Sequence, residues 1–240
     1  MSDTEMPDTE SVLISSPGSY ESGAEKAVVL LSSGLDSTVS LALAIKAYRV
    51  VMAISVAYGQ RAAKKELAAS AKIAAHYQLP HRIIHLPWME ELLPIALKTS
   101  ADTEDVSGDP MAVQTVWVPN RNGVLLNIAA SLAEAAQAGV VVFGANAEEG
   151  ADFPDNTDEY RAAVNQSLHY STLTHVRVET PVGQWDKAKI IAEGIRLKAP
   201  LEMIWSCYEA GEQHCGKCAS CLRLKRAISQ SPVIIPFENR

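Results

Sequence analysis

The chain has 240 residues, 48% of them hydrophobic and 20% charged, a balance that fits a water-soluble globular protein of one large domain, or one domain with a small appendage. Twenty-eight acidic against 21 basic side chains give a formal net charge of −7, the opposite of the basic footprint of a general nucleic-acid binder. The four cysteines all fall between Cys207 and Cys221, which excludes a disulfide scaffold and indicates one local site.

Residues 1–25 are acidic, Ser-rich and free of Lys and Arg, so they read as a solvated tail rather than a signal or transit peptide. Order is predicted from Lys26. Ala27–Leu31 is a short apolar run ending at the turn-prone Ser32-Ser33-Gly34, the pattern of a buried parallel strand, and Ser37–Ala47 follows as a helix. The alternation continues with a strand at Val50–Val56, a helix at Ala62–Gln78 stopped by Leu79-Pro80, and a strand at Arg82–Leu86. Lys98–Val116, acidic and weakly periodic, reads as a disordered insert or a lid. Asn122–Ala138 is helical, Val140–Phe143 a strand, Gly144–Asp158 loop-like, and Asp158–Thr172 a helix. Val176–Glu179 and Asp186–Lys198 supply the last strand and helix of the alternation. The most apolar stretch, Gly123–Ala147, is interrupted by Asn127, Ser131, Glu134 and Gln137, so it is a helix and a strand and not a membrane span. Strands alternating with helices imply right-handed crossovers, a parallel sheet covered on both faces, and ligands at the C-terminal ends of its strands. The expected organisation is a tail (1–25), an α/β domain (26–200) and a cysteine-bearing segment (201–240).

Chemistry is therefore sought in the loops after each strand. Ser32-Ser33-Gly34-Leu35-Asp36-Ser37-Thr38 joins strand to helix with small residues, hydroxyls and a helix N-terminus, which together can cradle an anion. Asp36 beside it suits a metal ion or the loop itself. The spacing matches neither G-x-x-x-x-G-K-[ST] nor G-x-G-x-x-G, and an ordinary capped β-to-α turn is the plain alternative. Tyr58-Gly-Gln60-Arg61 and Pro119-Asn-Arg121-Asn122 bring amides and arginines to the same sheet edge, where each is either a ligand-binding loop or simply a turn. Asp155 faces a ligand or caps a helix, and Lys187 can reach a phosphate. The histidines show no metal-ligand spacing and read as surface or cap residues. Cys207-x7-Cys215-x2-Cys218-x2-Cys221 can close a tetrahedral shell of thiolates around structural zinc, with an iron–sulfur cluster as the competitor. Gly216 permits the tight turn, and Lys217, Arg223, Lys225 and Arg226 offset thiolate charge.

The Ser32–Thr38 loop resembles the SGGxDS loop of the PP-loop ATP pyrophosphatases. Taken in order, Leu31–Thr38, Tyr58–Arg61, Pro119–Asn122, Phe153–Asp155, Glu179–Pro181, Asp186-Lys187, Ser206–Tyr208 and Cys215–Cys221 resemble the 7-cyano-7-deazaguanine synthase (QueC) family of that superfamily. The resemblance implies a Rossmann-like (HUP/PP-loop) doubly wound α/β fold with a small C-terminal zinc knuckle. It implies ATP-dependent conversion of 7-carboxy-7-deazaguanine and ammonia to the 7-cyano compound, by adenylation of the carboxylate, amide formation and dehydration. On the same basis Leu31, Ser32, Ser33, Gly34, Leu35, Asp36, Ser37 and Thr38 take ATP and Mg²⁺, with Asp36, Ser37, Arg121 and Lys187 catalytic. Tyr58, Gln60, Arg61, Arg121, Asn122, Asp155 and Lys187 meet the deazapurine, and Cys207, Cys215, Cys218 and Cys221 hold Zn²⁺. A cytoplasmic homodimer with no direct nucleic-acid or membrane partner is the expected setting. Four residues depart from the family pattern around the expected pocket: Ser33 for Gly, Ala62 for His, and Asn156-Thr157 for Cys-Arg. They raise an alternative, a paralogue that adenylates the same carboxylate but transfers it to another amine, such as a protein amine.

Overall fold

A computed structural model describes residues 24–98, 113–229 and 231–238. The strands are β1 (Lys26–Leu30), β2 (Arg49–Ala57), β3 (His81–His85), β4 (Val140–Val142) and β5 (Arg177–Glu179). They form one sheet of order β3-β2-β1-β4-β5 in which every pair is parallel. Helices α1 (Leu35–Ala47), α2 (Ala63–His76), α3 (Ile95–Lys98), α4 (Arg121–Ala135), α5 (Ala147–Asp152), α6 (Asp158–Ser171), α7 (Lys187–Arg196) and α8 (Ala219–Ile228) complete the fold. Strand order reverses between β1 and β4, and this is the switch point at which doubly wound sheets open a crevice. Among the described residues no helix is long and apolar enough to cross a membrane.

Strand pleating explains why β1 reads as a continuous apolar run. Ala27, Val29 and Leu31 point to one face with Leu41 and Ala44 of α1 and Ile73 and Ala74 of α2. Val28 and Leu30 point to the other, with Leu126, Ala129 and Ala133 of α4 and Leu168 of α6. Both faces are covered, so neither set can be polar. In β2 the register slips between Ala27↔Val50 and Val28↔Met52, and this bulge lets Val50 and Ala53 share a face despite their odd spacing.

A third apolar cluster ties the C-terminal segment to the sheet domain. Leu35, Val39 and Ala42 on the outer side of α1 meet Ile190 and Ile191 of α7, Leu224 of α8, and Leu201, Ile204 and Ile235. Packed from both sides, α1 buries eight of its 13 residues.

The helices end earlier than expected. Gln78, Gln137 and Lys198 adopt φ of 54°, 54° and 55°. Each forms a Schellman cap: Leu79, Ala138 and Ala199 donate back to the carbonyls of Ala74, Ala133 and Gly194. Because Gln and Lys stand where Gly usually signals the stop, the apolar periodicity alone runs on to Gln78, Ala138 and Lys198. The segment Gly144–Asp158, expected to be a loop, contains α5 and a 3₁₀ turn at Pro154–Asn156. Asn146 caps α5 by accepting a bond from the Glu149 N–H at 3.0 Å. Apart from Ala24 and Glu25, the expected tail lies outside the described residues, as does most of the expected insert or lid.

Candidate active site

At the C-terminal ends of β1, β2 and β4 lies a cavity of about 290 Å³. One wall is the turn from β1 into α1. Gly34 is the N-cap of α1 without side-chain capping, and Thr38 Oγ1 and Ser37 Oγ donate to its carbonyl at 2.8 and 3.1 Å. Ser32 Oγ lies 3.0 Å from Ser37 Oγ. These hydroxyls fold the turn on itself, while the first N–H groups of α1 have no intrahelical partner, as at any helix start. Leu31, Ser32, Gly34, Leu35, Asp36 and Ser37 line the cavity, whereas Ser33 and Thr38 do not. Thr38 is fully buried, so its hydroxyl serves the turn and not a ligand.

Ser33 shows how a residue other than Gly is accommodated. It has φ of 65°, a left-handed conformation costing an L-residue roughly 1–2 kcal/mol. Its Oγ donates to the Trp205 carbonyl at 3.2 Å and its own carbonyl accepts from the Trp205 N–H at 3.0 Å. The two bonds clasp the turn to the segment leading into the cysteines.

Gly144, at the end of β4, abuts the same turn. A Cβ there would stand 2.8 Å from Ser37 N and 2.9 Å from Ser37 Cα. Gly144→Ala is therefore expected to destabilise the fold by about 1–3 kcal/mol, the range for overpacking against backbone, and to displace the turn. Urea unfolding, with Gly139→Ala as a comparison whose Cβ would meet only the tip of the Glu25 side chain, measures the first effect.

Opposite the turn, Lys187 Nζ lies 2.5 Å from Asp36 Oδ2 and 3.1 Å from Glu149 Oε1. Lys187 is the first residue of α7, whose N-cap Asp186 accepts from Lys189 N. Burial alone would lower its pKa, but the charges of Asp36 and Glu149 overcome this and hold it above the usual lysine value. Burial raises Asp36, against the pull of Lys187. Burial acts on Glu149 in the same direction, yet Lys187 and Arg223 bring it down to about 2. Among the described residues Asp36 Oδ1 is buried with no partner.

Arg121, first in α4, is enclosed among groups that favour its charge against the cost of burial, chiefly Tyr58 and Asp155. Its Nε donates to Asn122 Oδ1 at 3.2 Å. Burial raises Asp155 while Arg121 opposes it, and Asn156 Nδ2 donates to Asp155 Oδ1 at 2.9 Å. The cap of α6 is Thr157, which accepts from Tyr160 N at 3.1 Å, so Asp155 is left to face the cavity. Of the four departures, Ala62 and Asn156 line the cavity, Thr157 caps a helix and Ser33 clasps Trp205.

Gln60 is committed to its own loop. Its Oε1 accepts from Tyr58 N at 2.8 Å, and its Nε2 donates to Val56 O at 3.1 Å and Glu66 Oε2 at 2.9 Å. Arg61 pairs with Glu209 at 2.6 Å, and among the described residues its Nη1 is buried with no partner. Glu66, Glu149, Arg223, Trp117, Phe153 and Tyr208 also line the cavity, and none stands out in the sequence as a site residue. Glu149 and Glu66 carry no local signal, being ordinary acids in helix first turns. Arg223, expected to balance thiolate charge, is a cavity residue near Glu149. Trp117 and Phe153 present rings parallel within 6°, centroids 6.2 Å apart.

The ligand atoms of Cys207, Cys215, Cys218 and Cys221 all lie within 4.8 Å of one another, and all four residues are buried. Cys215 Sγ and Cys221 Sγ are 3.9 Å apart. Metal–sulfur bonds of about 2.3 Å in a tetrahedron space sulfurs by about 3.8 Å, so the group has the dimensions of a single-ion site. Glu209 N and Cys215 N donate to Cys207 Sγ at 3.2 and 3.3 Å. Gly216 adopts φ of 73°, and Lys225 Nζ donates to its carbonyl at 2.8 Å. His214, expected as a surface or cap residue, is buried beside this knuckle, where its Nε2 accepts from Ser206 N at 3.2 Å.

A sequence model of the family described as "Queuosine biosynthesis protein QueC" matches residues 26–231. A protein of Carboxydothermus hydrogenoformans named 7-cyano-7-deazaguanine synthase is 45% identical over 210 residues, covering 85% of this chain and 98% of its own. One of the same name from Methanosarcina mazei is 41% identical over 227 residues, covering 90% and 98%. Among solved structures, NMN synthetase from Francisella tularensis aligns with a TM-score of 0.46 and 15% identity, over 89% of this chain and 90% of that one.

Proposed function

The chain belongs to the QueC family, and from that premise we propose that it is an ATP-dependent carbon–nitrogen ligase converting 7-carboxy-7-deazaguanine and ammonia to 7-cyano-7-deazaguanine. The observation that carries the reading beyond kinship is convergence. The Ser32–Ser37 turn, Lys187, Arg121 and Asp155, which are distant in sequence, line one cavity at the switch point.

A carboxylate has no leaving group until its oxygen joins a phosphate anhydride, so adenylation comes first. In this reading the turn and the N-terminus of α1 receive the triphosphate. Lys187 moves from its carboxylates to neutralise charge on the phosphates. Mg²⁺ suits Asp36, whose unpartnered Oδ1 is an oxygen ligand in waiting, with Glu149 beside it. Arg121 meets the carboxylate of the deazapurine, and Asp155 and Asn122 address its polar edge. Ammonia displaces AMP to give the amide, and a second activation of the amide oxygen lets it leave as the nitrile forms. No step needs a nucleophilic side chain; the protein orients the reactants and stabilises charge. The four cysteines fit Zn²⁺ as a closed structural site with no open position. A net acidic chain is consistent with this chemistry, because a small anion needs only local cations.

The relatives' names favour nitrile formation over transfer to a protein amine. Incubation with ATP, 7-carboxy-7-deazaguanine and ammonium as the only amine is expected to yield the nitrile by mass spectrometry; AMP release without nitrile would sink the synthase reading. The parallel rings of Trp117 and Phe153 offer a stacking surface for the deazapurine. Aromatic–base stacking contributes about 1–3 kcal/mol, so Trp117→Ala is expected to raise KM for the deazapurine at least about fivefold and leave KM for ATP within about twofold. Steady-state kinetics in each substrate measure the difference.

A further inference from the structure

Four carboxylates line the cavity, and two of them pair with a lysine. Asp36 and Glu149 share Lys187, while Asp155, assigned above to the deazapurine, and the fourth acid feel Arg121 only through its field. The fourth is Glu66, in the first turn of α2. Among the described residues it forms no ion pair, and the partner of its Oε2 is a neutral amide, Gln60 Nε2 at 2.9 Å. Gln60 cannot turn away: its oxygen is held by Tyr58 N and its nitrogen also serves Val56 O. A backbone-anchored amide thus presents one half-buried carboxylate to the cavity without neutralising it.

We propose, on the ligase reading above, that Glu66 is the ammonium site and the base that releases ammonia for attack on the activated carboxyl. At neutral pH the nitrogen substrate is almost entirely ammonium, which has no lone pair to attack with. A carboxylate with no ion-pair partner in a partly enclosed cavity attracts the cation and accepts its proton. One N–H proton passes to a Glu66 oxygen, and the freed nitrogen lone pair forms the C–N bond at the acyl-adenylate carbon. The bond from that carbon to the phosphate oxygen breaks, its electron pair leaving with AMP. The surplus proton on the new nitrogen and the one on Glu66 both pass to solvent, so the step yields amide, AMP and two protons.

The electrostatics agree with the assignment. Burial raises Glu66 above the usual carboxylate value, opposed by the Gln60 hydrogen bond and Arg121, whereas Glu149 at about 2 is too weak a base to compete. The groups facing Glu66 from other elements are Tyr58 and Gln60 after β2 and Arg121 at the start of α4.

Glu66→Gln in the full chain, zinc-loaded, tests it. Three quantities are measured: deazaguanine-dependent ATP–pyrophosphate exchange, product formation with ammonium, and hydroxamate formation with hydroxylamine, which is uncharged at pH 7 and needs no base. The variant is expected to keep exchange and hydroxylamine capture within about threefold and to lose ammonium-dependent turnover by about 10²-fold, the typical contribution of a general base. Its residual ammonium rate should climb about tenfold per pH unit above 7, following free ammonia, while the unsubstituted enzyme stays nearly flat. Retention of ammonium use, or equal loss of ammonium and hydroxylamine use, overturns the assignment. No exchange in the unsubstituted enzyme overturns the ligase reading itself, so the two failures are distinguishable.

Discussion

Lys187→Met is expected to reduce ATP-dependent pyrophosphate release by about 10²–10³-fold, a loss typical of removing a group that stabilises charge in the transition state. The same substitution should destabilise the fold. Lys187 is the cation between Asp36 and Glu149, with side-chain exposures of 11%, 13% and 30%. Removing one member of a buried ion pair typically costs about 3–5 kcal/mol, because the remaining charge is left desolvated. The pH dependence has a definite sign. Without the ammonium the burial that already raises Asp36 meets less opposition, and Glu149 loses the largest charge that holds it at about 2, so both folded-state pKa values rise. The variant's deficit therefore fades as pH falls from the unfolded carboxylate range toward 2, where Glu149 of the unsubstituted enzyme also protonates, and grows as pH rises toward the raised folded value of Asp36. Urea unfolding at pH 5 and pH 8 should show the larger deficit at pH 8; an equal deficit at both would remove the electrostatic explanation. A conservative Lys187→Arg should restore little, since a planar five-donor fork does not fit where a compact ammonium meets two carboxylates.

Cys218→Ser is expected to empty the metal site and unfold the C-terminal segment. The bound metal in small thiolate zinc peptides contributes about 10–16 kcal/mol, as much as the net 5–15 kcal/mol that roughly holds a whole domain together. The damage should not stay local. Leu224 and Ile235 lie in the apolar cluster that covers the outer side of α1. Trp205, two residues before Cys207, holds the Ser33 carbonyl and accepts from its hydroxyl. Loss of the metal should therefore reach the β1–α1 turn, proposed above to receive the triphosphate, and raise KM for ATP in whatever fraction still folds. Metal analysis, thermal unfolding and ATP kinetics on the purified variant measure the three consequences. A variant with unchanged metal content and melting temperature would show that the four thiols do not act as one closed site.

Much of the architecture follows from local pattern. Val28 and Val29 are both apolar because β1 is covered on both faces, and the strand–turn–helix repeat fixes a parallel sheet with its loops at one edge. The cysteine spacing is equally local, since C-x2-C steps place thiolates on one turn whatever the rest of the chain does. Other features were not legible. Helices α2, α4 and α7 stop at Gln78, Gln137 and Lys198, where a left-handed cap is built without the glycine that would announce it. Helix α5 hid in a segment rich in Gly, Asn and Asp, where six residues and one Asn cap are too few to produce a periodic signal.

The site divides along the same line. Composition, strand periodicity and ordered motifs determined the fold class, the family resemblance, the turn around Asp36 and the cysteine site, because each depends on neighbours within a few residues. Only the tertiary structure decided that Lys187 meets Asp36 across 151 positions, that Ser33 clasps Trp205 across 172 and that Arg61 pairs with Glu209 across 148. The same holds for Glu66, which meets the anchored Gln60 amide at the cavity wall. Such pairings are set by where crossover connections bring loops together at the sheet's switch point. No periodicity in the chain encodes which acid will face which base there.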